Sequence, residues 1–96
     1  MRIALVSDQS NDQRVHDAEC RDVAREVTRF RNGPAEFLDM ESKWEVAVHI
    51  WADIASDNEE SGSPEWEAEI RNNDTLTTYL PCCNLPDGEK YASPAK

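Results

Sequence analysis

SKWEVAVHIWADIAS, residues 42–56, is the stretch whose reading decides the fold. It is the most apolar long segment and holds two of the three tryptophans, Trp44 and Trp51. Ser42 and Glu45 stand at capping-box spacing. In that motif the hydroxyl accepts one orphan N–H of the first turn and the carboxylate reaches back for another. Trp44, Ala47, Val48, Trp51, Ile54 and Ala55 then recur at helical intervals and share one face. Val46 and Ile50 widen the apolar arc, which leaves Glu45, His49 and Asp53 for water. A helix this apolar needs cover on more than one side. The spacing predicts a central helix over about 43–56.

Toward the N-terminus, RIALVS (Arg2 to Ser7) alternates and reads as a strand. The polar cluster Asp8 to Gln13 reads as a turn, and Arg14 to His16 as a returning strand. Asp17 suits a helix N-cap, with Glu19 favourable in the first turn. Cys20, Val23, Ala24, Val27 and Phe30 form an apolar helical face, with Arg21, Arg25 and Arg29 outside. Asn32-Gly33 and Pro34 end that helix. Ala35 to Glu41 reads as a connector that packs Phe37, Leu38 and Met40 under the central helix, with a short extended piece as one form of it.

Toward the C-terminus, Ser63-Pro64 opens a third helix that runs to about Asn72, anchored by Trp66 and Ile70. Thr75 to Leu80 is β-branched and aromatic and reads as a strand with Leu76, Thr78 and Leu80 on one face. Pro81 ends it. Residues 84–96, with Pro86, Gly88 and Pro94, read as a loose tail. The expected architecture is a single α+β domain over residues 1–83. It has a small two- or three-stranded antiparallel sheet covered by three helices.

The charge is uneven. Residues 35–74 hold twelve acids against Lys43 and Arg71, which accounts for the whole net charge of −10. Residues 1–34 and 75–96 are each neutral. Phosphate backbones need a positive surface, so direct nucleic-acid binding is disfavoured. No apolar run reaches the about 18 residues of a membrane span, and no basic-then-apolar leader opens the chain. The expectation is a soluble cytoplasmic protein. There is no G-x-S-x-G, no G-x-G and only two histidines. An enzyme is therefore not expected.

Three sets of residues carry possible chemistry. His16, Cys20, Cys82 and Cys83 offer nitrogen and sulfur ligands of the kind zinc takes. Cys20 is alternatively a small core residue, or half of a Cys20–Cys82 bridge. Adjacent Cys82 and Cys83 suit one tetrahedral ion less readily than a spaced pair. The second set, Glu45, His49 and Asp53, forms a carboxylate–imidazole–carboxylate row, read as a solvated helix face. The third is the acidic run Asp57, Glu59, Glu60, Glu65, Glu67 and Glu69 with Trp66 among them. It offers a surface for a basic partner if Trp66 is exposed, or a solvated helix face if it is not.

VHDAEC near a helix start, the central helix from Trp44 to Ile54 and the closing YLPC together resemble small uncharacterised proteins of actinobacterial phages. His16, Cys20 and the segment Tyr79 to Cys82 carry the match. The resemblance implies a non-enzymatic accessory protein in the cytoplasm of an infected host cell. Its acidic surface would bind a basic host protein, with DNA mimicry as one form of that binding. The alternative is a small metal-binding module that uses His16, Cys20 and Cys82, with zinc as its cofactor.

Overall fold

The computed structural model describes residues 1–7, 13–25, 35–88 and 90–91. In order they form β1 (Arg2–Ser7), β2 (Gln13–Asp17), α1 (residues 22–25), β3 (Glu36–Asp39), α2 (Lys43–Asn58), α3 (Pro64–Asn73), a 3-10 turn (Asp74–Leu76) and β4 (Thr77–Tyr79). The chain divides into two compact units. One is Met1–Met40 with Leu76–Asn84; the other is Glu41–Thr75 with Leu85–Lys96.

The first unit is built on β1. Ile3, Ala4, Leu5 and Val6 are all buried in succession, so both faces of this strand are covered. β1 pairs antiparallel with β2, Ile3 opposite Asp17 and Ser7 opposite Gln13. On its other edge it pairs antiparallel with β3, Arg2 opposite Asp39 and Leu5 opposite Glu36. β4 joins β2 in parallel, giving a four-stranded sheet of order β3-β1-β2-β4. The α+β class is as expected. The small antiparallel sheet is corrected to a mixed sheet of four strands. β3 has no apolar alternation to announce it, and its Phe37 is exposed. Backbone bonds to β1 place it.

Two local readings also change. In β4 the inward residue is Thr77, while Leu76 is 52% exposed in the 3-10 turn before the strand. Thr77 and Tyr79 sit opposite Gln13 and Val15, so they share the face of buried Val15. Asp17 does not cap a helix. It ends β2, and its carboxylate accepts the Glu19 N–H at 2.9 Å. Its carbonyl accepts the Cys20 N–H at 2.9 Å, closing a turn before α1. Val23 of α1 is buried against Ala4 and Val6, with Cys20 beside it. The remainder of the expected arginine-faced helix, including Val27, Arg29, Phe30 and the Asn32-Gly33-Pro34 stop, lies outside the described residues. So does most of the Asp8 to Gln13 turn.

The second unit is the α2–α3 pair. Ala47, Trp51, Ala55 and Ile70 form its buried centre, with Trp44, Val48, Ile50, Trp66 and Tyr91 partly buried around it. Two alanines flanking Trp51 at i−4 and i+4 leave room for the indole to meet Ile70. The buried stripe is narrower than the sequence suggests, and Ile54 is 47% exposed. The Trp51 indole N–H donates to Oδ1 of buried Asp74 at 2.8 Å, which satisfies the ring's polar edge.

The N-terminus of α2 has its orphan donors accounted for. Ser42 Oγ accepts the Glu45 N–H at 3.3 Å. The Glu45 carboxylate reaches back one residue further than a capping box requires, to the Glu41 N–H at 3.0 Å. The carbonyls of Pro86 and Asp87 accept the N–H groups of Lys43 and Trp44 at 2.8 and 3.1 Å. Lys43 also pairs with Asp87 at 3.4 Å. The described part of the expected loose tail is therefore held. Leu85 is buried, and Lys90 bonds with Glu67 at 2.8 Å.

Gly88 closes this cap at φ +88°, where an added Cβ would lie 3.0 Å from Ser42 Cβ. An L-residue in this region is strained by about 1–2 kcal/mol before any clash. Gly88→Ala is expected to loosen the tail. Hydrogen exchange at the Lys43 and Trp44 amides should accelerate by at least about tenfold, since 1.4 kcal/mol corresponds to one decade. Unchanged exchange there would show that the tail contributes nothing to the cap.

Candidate metal centre

Three segments of the first unit converge on one point. β2 supplies His16, whose side chain lies on the sheet face shared with its partner Ala4. His16 is 1% exposed. The turn held by Asp17 carries Cys20 back beside it. The parallel ladder continues past β4, with Leu80 N–H donating to the Val15 carbonyl at 2.9 Å. The chain then turns at Pro81-Cys82, closed by the Cys83 N–H on the Leu80 carbonyl at 2.8 Å. This places Cys82 Sγ 3.7 Å from His16 Nδ1. The donor atoms of His16, Cys20 and Cys82 all lie within 4.8 Å of one another.

The separations suit a metal. Zinc–sulfur bonds of about 2.3 Å and zinc–nitrogen bonds of about 2.0 Å at tetrahedral angles imply ligand–ligand edges of about 3.5–3.8 Å. The sulfur–imidazole edge of 3.7 Å is already there. The others, within 4.8 Å, need to contract by at most about 1.3 Å. Nitrogen and thiolate donors select zinc over magnesium or calcium, which take oxygen. Cys83, the fourth member of the expected set, is buried and stands outside this group. None of the three cysteines forms a disulfide.

The two half-buried thiols are unequal. The Asp22 backbone N–H, aimed at its sulfur, holds Cys20 below the ordinary thiol value, helped by His16 and Cys82. Burial pushes Cys82 up, and Cys20 beside it adds to the rise. As pH rises, Cys20 ionises first. The thiolate is the nucleophile, so metal-free protein treated with limiting iodoacetamide near neutral pH should be alkylated first at Cys20. Peptide mapping that found Cys82 modified first would reverse this assignment.

The three donors line one wall of an open cleft of about 460 Å³. Arg14, Asp22, Arg25, Leu80 and Pro81 complete it. Arg14 and Asp22 were not legible as site residues. The one signal for Arg14 is its i, i+2 spacing from His16, which puts both side chains on the same face of β2.

The other candidate residues are placed differently. Glu45, His49 and Asp53 are all exposed along α2. In the acidic run, Asp57, Glu60 and Glu65 are exposed, while Glu59, Glu67 and Glu69 are half-buried. Glu67 is paired with Lys90, and Glu69 accepts from the Asn58 amide at 3.4 Å. Trp66 is half-buried against the α2–α3 core, and its indole N–H donates to Ser56 Oγ at 3.0 Å. No helix among the described residues is long and apolar enough to cross a membrane.

No protein-family model matches the chain, and neither a curated protein nor a solved structure matches it.

Proposed function

We propose that this chain is a small, non-enzymatic metal-binding module in which His16, Cys20 and Cys82 hold one zinc ion. The observation that carries this reading is the approach of donors 66 residues apart, Cys82 Sγ to His16 Nδ1, at 3.7 Å. The metal would tie the turn after β2 to the turn after β4. Metal binding of this kind contributes directly to folding, because the unfolded chain has no preformed site.

The test is a zinc measurement on protein purified without a metal-affinity column. About one zinc per chain is expected, together with loss of thermal stability on adding a chelator. Folded protein that carries no zinc and gains no stability from added zinc would end the proposal.

A second reading is favoured by one observation, the twelve acids of residues 35–74. In this reading exposed Asp57, Glu60 and Glu65 contact a basic host protein, as the phage resemblance implies. Such an association weakens with salt, because exposed charges are screened over about 10 Å at 0.1 M. Half-buried Trp66, already bonded to Ser56, gives this surface no free aromatic anchor.

A further inference from the structure

We infer that Cys20 and Cys82 are a reversible oxidation site: hydrogen peroxide closes them into a disulfide, and closure evicts the metal. The bridge stands on the positions of the two sulfurs alone. The eviction rests on the zinc reading above and goes beyond it.

Proximity comes first. The two sulfurs lie within 4.8 Å of each other, although their residues come from different turns of the first unit. A disulfide needs about 2.0 Å between sulfurs, so they must approach by at most about 2.8 Å. Cys20 follows the turn that ends β2, and Cys82 sits in the turn after Leu80. Neither belongs to a strand ladder, and such segments shift more readily than paired strands. Rotation of the two side chains between staggered positions supplies the remainder.

Access is the second consideration. Both cysteines are half-buried and line the open cleft, so a molecule as small as peroxide reaches them without passing through the core. Cys83 is buried and stands outside the donor group. Its adjacency to Cys82 also makes a bridge between those two strained. Of the three pairings, Cys20 with Cys82 is the one the fold favours.

The step balances with peroxide as the oxidant. One thiolate of the pair attacks a peroxide oxygen; an S–O bond forms, the O–O bond breaks and hydroxide leaves. The other thiolate attacks the resulting sulfenic sulfur; the S–S bond forms, the S–O bond breaks and a second hydroxide leaves. Two solvent protons convert the hydroxides to water, and the sulfurs have passed two electrons to the peroxide. Metal ligands of this type are thiolates, and a bridged sulfur is not one. Closure therefore leaves the ion with His16 alone of its three donors. A bridge between accessible turns is of the labile kind that a dithiol reopens.

Zinc-loaded protein is treated with hydrogen peroxide beside a chromogenic zinc chelator, with a peroxide-free control, and thiols are counted after denaturation. The expected result is loss of two of the three thiols and release of one zinc per chain, both reversed by dithiothreitol and zinc. The tryptic peptides 15–21 and 72–90 should appear joined, and their fragmentation should place the link at Cys82. Cys83→Ser should give the same joined pair, and Cys82→Ser should not. A link through Cys83, bridges only between chains, or sulfinic acid at Cys20 with Cys82 still a thiol would overturn the oxidation site. A Cys20–Cys82 bridge that forms while zinc stays bound overturns the eviction. Protein that binds no zinc but closes this bridge ends the zinc reading and the eviction with it, and upholds the oxidation site.

Discussion

Trp51→Ala is expected to cost about 3–5 kcal/mol of stability, the range for truncating a buried large aromatic. Domains of this size are stable by about 5–15 kcal/mol in all. The substitution therefore removes a large part of what holds the α2–α3 pair together. Trp51 lies at the centre of the Ala47–Trp51–Ala55–Ile70 core, and alanine would leave a void beside Ile70 that two flanking alanines cannot fill. The indole also donates to buried Asp74. Trp51→Phe separates the two contributions. It keeps most of the ring but removes the donor to a buried carboxylate, at about 1–3 kcal/mol. Urea unfolding followed by helical circular dichroism reads both. A Trp51→Ala midpoint equal to that of wild type would mean the pair is held by something other than this core.

Cys82→Ser should abolish stoichiometric zinc binding, whereas Cys83→Ser should preserve it. Loss of an outer-shell partner alone lowers metal affinity about 10–100-fold, and loss of a thiolate ligand should exceed that. The neighbouring cysteine serves as the control, because its chemistry is identical and its side chain lies outside the donor group. His16→Ala should behave as Cys82→Ser does. Zinc in about thousandfold excess over its dissociation constant adds about 4 kcal/mol to a protein that binds it only when folded. That increment should appear as a rise in melting temperature for wild type and Cys83→Ser, and vanish for Cys82→Ser and His16→Ala. If both cysteine variants lose zinc alike, the geometry of the site is wrong. If both keep it, the sulfur of Cys82 is not a ligand.

These two predictions differ in how far the sequence alone could support them. The helix around Trp51 was legible because its causes are local. Ser42, Glu45 and the apolar intervals act within a turn or two, and the caps form at Ser42 and Ser63 as their spacing implies. The strand β1 was legible for the same reason, as a short apolar run, Ile3 to Val6, that is buried throughout, and β2 only through Val15 between polar residues. The identity of the metal-type residues was also visible, since only histidine and cysteine offer such donors.

Tertiary structure decided the rest. It made β3 a strand although its own residues do not alternate, and it turned Thr77 rather than Leu76 inward through the register with Val15. It gave Pro86 and Asp87 a task at the start of α2 that no spacing announces. It also selected Cys82 over Cys83, because the parallel ladder from β2 sets where the chain turns after Leu80. Side chains within four residues of each other determine helices and caps, and those are written in order along the chain. Which distant residues meet depends on the register of backbone bonds between strands, and a one-residue slip would exchange every face. Nothing at His16 or at Cys82 alone carries that information.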